Sequence, residues 1–378
     1  MAKDRDMQSL IDVTKTTQTL VAHLSSSLAP STAAASQAQT PAQTPTQTQT
    51  RTQSARAADV ANPLDAIKAS ATVLQSHTTT LSLLLLTPPL TPSALMTKIG
   101  HVHSGAVKGM VAAAGYVSQP GHPGDVGNLM RTALRAQVRG VLGTWGHVLG
   151  LVLGMAEKRQ GGTGNDAGPS ESEKQQVLAA TGVVWEACEA LLQLCNDGVV
   201  GLVVTKATEL RATLLDAIAE LKAWSEDMAD DHDDDDDDDD DDDLFDSINK
   251  LAQDDQGLKE LADTSLKKLK TIGMLYQALI KRRLKTYPAA SADSSSRAAS
   301  SPARKLDELM ALLKAIPDTV DDLAGAFYDL DEDGAQGFLH EAKAQAKRAA
   351  ELVKQNWAGG EDEFTAWSAT WAAALETE

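Results

Sequence analysis

The sequence predicts an all-α protein of two packed bundles of antiparallel helices, with a disordered amino-terminal tract and an acidic loop. Three observations predict it. Apolar residues recur at alternating steps of three and four along most of the chain, the spacing that keeps one helical stripe buried. Aromatic residues are only 4% while Ala and Leu abound, a composition suited to helices packed on helices. Pro, Gly and Ser cluster between the periodic stretches, where helices must stop.

Residues 1–62 comprise a short amphipathic segment, Met7 to Leu28, and a Thr/Gln/Pro/Ala tract from Pro30 to Ser54. That tract lacks the apolar side chains that would offset the entropy of ordering, so it should be disordered. The amino-terminal bundle spans 63–229. It opens near Asn62-Pro63 with a helix carrying Leu64, Ile67, Ala71, Leu74, Leu81 and Leu85, which Thr87-Pro88-Pro89 stops. Ser93 to Val117 forms a second helix, weakened by Gly100, Gly105 and Gly109. A long helix follows with Leu134, Val138, Val141, Trp145, Val148, Val152 and Met155 in register. Ser170-x-x-Glu173 is a capping box that starts the next helix, whose stripe is Val177, Thr181, Val184, Cys188, Leu191 and Cys195, flanked by Trp185 and Leu192. Val203, Ala207, Leu210, Leu214, Ala217, Leu221 and Trp224 continue the pattern.

The acidic loop at 230–243 interrupts all periodicity. The carboxy-terminal bundle spans 244–378 and includes a Ser-rich linker at 289–301. Leu258, Ala262, Ser265, Leu269, Ile272, Tyr276 and Leu279 form one stripe. Short helices are expected around Leu306 to Ile316, Thr319 to Leu330, Gln336 to Trp357 and Glu361 to Leu375, and all six tryptophans should lie in helices as core or seam anchors.

Charge narrows the function classes. Eleven consecutive aspartates, Asp233 to Asp243, supply more than half of the net charge of -19, so the folded body is only mildly acidic. With no basic stripe interleaved with aromatics, direct nucleic-acid binding is not expected. Gly140 to Ala156 is uncharged and carries Gly-x-x-x-Gly spacings, but its 17 residues fall short of the roughly 20 a spanning helix needs. It reads as a buried bundle helix, and no membrane association is expected. Cys188 and Cys195 lie seven apart on one helix, about 10 Å along its axis, beyond disulfide reach. Nucleophile-elbow, P-loop and dinucleotide motifs are missing, so neither an enzyme nor a cofactor is expected.

Several motifs admit a functional reading beside a plain one. Lys281-Arg282-Arg283-Leu284 looks like a basic-x-Leu cyclin-docking peptide through Arg282 and Leu284, yet cations also suit a helix carboxyl terminus. Ser301-Pro302 looks like a proline-directed phosphorylation site at Ser301, yet Pro302 also suits a helix start. The aspartate run, through Asp233, Asp238 and Asp243, would contact a basic partner as a nucleic-acid mimic; the plainer reading, a solvated loop, is preferred. Asp329-Leu-Asp331-Glu-Asp333-Gly334 imitates a calcium loop, but its twelfth position is His340 rather than Glu, leaving too few ligands. His101 and His103 lie far from the cysteines and make no zinc pattern, so no metal is expected.

Gly182-Val-Val-Trp-Glu-Ala-Cys-Glu-Ala-Leu, then Leu215-Asp-Ala-Ile-Ala-Glu-Leu221, the acidic run, Leu306-Asp-Glu308 and Pro317-x-x-Val320-Asp-Asp-Leu-Ala324 resemble the cyclin-D-binding (GCIP) proteins in order and separation. The resemblance covers roughly Pro63 to Leu375. It implies a non-enzymatic, all-helical, two-domain regulator of nucleus and cytoplasm that binds a D-type cyclin or helix-loop-helix factor and restrains proliferation. A structural or adhesion-type bundle and an acidic chaperone for basic proteins are the competing expectations.

Overall fold

The structure is a computed structural model and describes residues 2–30, 62–117, 127–161, 168–230, 245–288 and 302–377. Every regular element among them is helical, as the periodicity requires. The chain divides into two compact units, Met1–Gly198 and Val199–Glu378. The sequence reading closes its first bundle at residue 229, whereas this division falls at Gly198. There the long helix α6 (Glu171–Asp230) is broken, because Gly198 adopts φ 62° and ψ -160°, a conformation open in practice only to glycine.

The amino-terminal unit contains α1 (Ala2–Ser27), α2 (Pro63–Leu86), α3 (Pro92–His101), α4 (Lys108–Gly115), α5 (Gly127–Gly161) and the first part of α6. Although sequence alone sets α1 apart from the bundle, Leu10, Ile11 and Val21 are buried and α1 lies against α5. Lys15 pairs with Glu157 at 2.8 Å, and Gln160 donates to Gln8 at 2.7 Å. Asn62 accepts from the Leu64 amide and Pro63 occupies the first turn, which fixes the start of α2. The glycines of the second helix do not end it: a π-helical turn, Val102–Val107, joins α3 to α4. Gly109 brings this stretch close to α2: a Cβ there would sit 2.6 Å from Ser70 Oγ, which would have to rotate away.

By length and composition, segments of α5 and α6 are apolar enough to cross a membrane. In α5, however, Val141, Leu142, Trp145, Val148 and Val152 are buried within the unit, as a bundle helix requires. The capping box forms as expected. The Ser170 amide donates to Glu173 Oε2 at 2.7 Å and the Glu173 amide to Ser170 Oγ at 3.3 Å. Lys158 also donates to Glu173, and these bonds hold its carboxyl down at about 2.

In the carboxy-terminal unit, the rest of α6 is joined by α7 (Phe245–Leu279), a π-helical turn (Ile280–Leu284), α8 (Pro302–Tyr328), α9 (Glu332–Leu352) and α10 (Glu363–Glu376). Trp224 packs against Phe327 and Tyr328 with ring centroids 5.6 and 5.9 Å away. Buried Ala335, Ala342, Ala346 and Ala349 give α9 a small-residue face beside α8. Leu330 takes φ 58° where glycine usually sits, and bonds from the Asp331 amide to the Ala326 carbonyl and from Leu330 to Phe327 close the end of α8. Asp331 then caps α9 by accepting from the Gly334 amide at 2.9 Å. The calcium-like stretch is thus an interhelical connection.

The two short helices expected on either side of Pro317 are one helix, α8. Proline has no N–H, so the carbonyl four residues earlier, that of Leu313, loses its helical donor. Tyr276 replaces it: its buried hydroxyl donates to the Leu313 carbonyl at 2.6 Å. A partner on another helix thereby satisfies the group that would otherwise favour a break.

Candidate protein-binding site

The basic segment at the end of α7 separates into inward and outward side chains. Leu284 is 0% exposed, so docking through it would require the π-helical turn to leave the core. Arg282 is half-exposed and ion-paired with Glu363 at the start of α10. Arg283, which sequence reasoning passed over, is 1% exposed. Its position carried a signal: Leu269, Ile272, Tyr276, Leu279 and Arg283 continue the three-four spacing, placing an arginine on a core stripe.

All five guanidinium donors of Arg283 are used. Nε donates to the Val353 carbonyl at 2.6 Å, Nη1 to Arg282 O at 2.9 Å and Asp362 Oδ2 at 2.7 Å, and Nη2 to Lys354 O at 2.9 Å and Asp362 Oδ1 at 2.8 Å. The guanidinium carbon lies 4.3 Å from the Phe364 ring centroid, a cation–π contact. Trp357 closes the cluster by donating to the Arg283 carbonyl at 2.7 Å and meeting Tyr287 edge-on at 5.0 Å. Trp357 lies in the turn after α9, outside the helix expected for it.

This clamp fixes α10 against α7 and leaves a shallow groove of about 350 Å³ between them. Met274, Ala278, Phe364 and Trp367 supply apolar lining, while Lys281 and the Arg282–Glu363 pair supply charge. Met274 is 54% exposed. Trp367 stacks on Trp371 at 6.1 Å and also touches Phe364, so the aromatic floor is preorganised. A groove of this kind can seat an apolar side chain and steer a charged one.

In the amino-terminal unit, Val177, Val184, Cys188, Leu191 and Cys195 are buried as their spacing requires. Trp185 is instead half-exposed, with Nε1 donating to Thr79 Oγ1 at 3.2 Å. Both thiols are free; burial pushes Cys188 up to about 12 and Cys195 to about 11. Among the described residues no group of three or more His, Cys, Asp or Glu could hold a metal ion, and His101 instead meets His77 edge-on at 5.7 Å. Ser301, Asp233, Asp238 and Asp243 lie outside the described residues.

Residues 66–227 match the family model described as "Grap2 and cyclin-D-interacting, N-terminal". This segment is similar to the amino-terminal domain of the GCIP family. The GCIP match begins inside α2 and runs through the buried Cys188 stripe and past the Gly198 break. An uncharacterized protein of Schizosaccharomyces pombe is similar over 320 residues at 25% identity, covering 82% of this chain and 84% of the relative.

Proposed function

We propose that this chain is a non-enzymatic, protein-binding regulator that engages a D-type cyclin, and through similar helical surfaces a helix-loop-helix factor, in nucleus and cytoplasm. The GCIP match over 66–227 carries the reading, because that family is described by its interaction with cyclin D. The site chemistry is consistent with recognition. The groove at α7 and α10 offers apolar lining and charge, and its Glu363 is already engaged by Arg282. The mechanism is occupancy: a regulator held on a helical surface is withheld from its kinase or DNA partner.

The deciding experiment mixes the purified full chain with a purified D-type cyclin and measures association by light scattering and calorimetry. A stoichiometric complex that persists as salt is raised is expected. Absence of a complex at micromolar concentrations overturns the cyclin reading. Complexes formed only with basic proteins and lost in salt would favour an acidic chaperone instead.

A further inference from the structure

We infer that the outer face of α7, together with the aromatic floor from α10, docks an acidic amphipathic helix of a partner protein. The inference rests on the protein-binding reading and assigns it a surface. In a chain of net charge -19, the stretch from Thr264 to Pro288 holds seven Lys and Arg and not one Asp or Glu. Two of the seven, Lys268 and Arg283, are buried. The other five, Lys267, Lys270, Lys281, Arg282 and Lys285, are exposed.

Helical spacing organises them. Lys267, Lys270, Met274, Gln277 and Lys281 follow one another at steps of three and four, and all five are exposed, so they form one line along α7 and into the π-helical turn that continues it. Lys270 and Lys281, eleven apart, bracket the apolar patch at roughly 16 Å. Neither makes an ion pair among the described residues. Between them, exposed Met274 adjoins Ala278 and Trp367 in the groove.

An apolar patch with a lysine at each end complements a helix that carries apolar anchors one turn apart and carboxylates about three turns apart. Apolar contact supplies affinity, and the lysines set orientation and association rate. Nucleic acid would engage the lysines but leave Met274 and Trp367 without a matching surface. The sequence reading found no basic stripe because the cations stand in two clusters, Lys267 to Lys270 and Lys281 to Lys285, separated by apolar residues.

Fluorescence anisotropy with the full chain tests this, using a labelled synthetic helix with leucines on one face and glutamates on the other, a twin with lysines in place of glutamates, and a short DNA duplex. The acidic peptide should bind, and the basic twin should not. The double variant Lys270→Glu/Lys281→Glu and the single variant Met274→Asp should each weaken binding at least about tenfold. Lys270→Gln/Lys281→Gln provides a milder variant should charge reversal disturb folding, with circular dichroism checking helicity. Equal binding of the two peptides, tighter binding of the duplex, or unchanged affinity in the lysine and Met274 variants overturns the inference. Cyclin association by the parent chain is scored separately, so peptide binding at this groove without a cyclin complex sinks only the cyclin reading.

Discussion

Arg283 and Asp362 form a two-pronged ion pair, 2.7 Å from Nη1 to Oδ2 and 2.8 Å from Nη2 to Oδ1, with the arginine side chain 1% exposed and the aspartate 34%. Asp362 is also the cap of α10, where Oδ1 accepts from the Phe364 and Thr365 amides. One carboxylate thus starts a helix and neutralises the cation that holds that helix to α7.

Removing the cation should therefore be costly. Arg283→Met leaves the Val353 and Lys354 carbonyls without their donors and Asp362 without its cation, and a loss of about 2–4 kcal/mol is expected, mostly from the carbonyls because Asp362 keeps access to water. Urea denaturation followed by tryptophan fluorescence measures it, since Trp357 and Trp371 sit in this unit. A loss below about 1 kcal/mol would show that the clamp is not structurally important.

Acid should weaken the same contact. The hydrogen bond from Arg283, reinforced by the Thr365 and Phe364 amides, holds Asp362 down at about 2, below the roughly 3.9 of an unfolded aspartate. A depressed carboxyl contributes stability fully above the unfolded value and loses it as pH falls through the folded one. Melting temperature should drop between about pH 4 and pH 2, and less steeply in Asp362→Asn. Parallel curves for the two proteins would contradict the assignment; Glu173, also held near 2, titrates equally in both.

The hydroxyl of Tyr276 offers a double-mutant test. Tyr276→Phe leaves the Leu313 carbonyl unsatisfied and should cost about 1–3 kcal/mol. In a Pro317→Ala background the restored amide can bond that carbonyl, so the same change should cost markedly less. Equal costs in both backgrounds would disprove the compensation.

The thiols should be inert in the folded chain. With Cys188 and Cys195 pushed up to about 12 and 11 by burial, almost no thiolate exists at pH 8. Ellman's reagent should react slowly with both under native conditions and rapidly in urea. Fast labelling of the native protein would place them in an accessible environment.

Much of the fold was legible because helices announce themselves locally. The Ser170–Glu173 box, the Asn62-Pro63 start and the Cys188 stripe all use residues within a few positions of one another. What escaped depends on distant partners. Pro317 reads as a breaker until Tyr276 is brought to it, and Leu284 reads as a ligand for another protein until it is seen in the core. The place of α1 depends on an α5 surface more than a hundred residues away. Leu330 occupies a left-handed position without the glycine that would have marked it. The groove was the least legible feature, since half of it comes from α10 and its lysines are dispersed along α7.

The bond between Tyr276 and Leu313 binds two positions into one unit of inheritance. A relative that lacks a proline at the position of Pro317 has no orphan carbonyl and is free to carry phenylalanine or leucine where this chain has Tyr276. A relative that keeps the proline must keep a donor. Substitution at these two sites should therefore be ordered in time: the proline can be lost first at little cost, whereas losing the tyrosine first passes through a weakened protein.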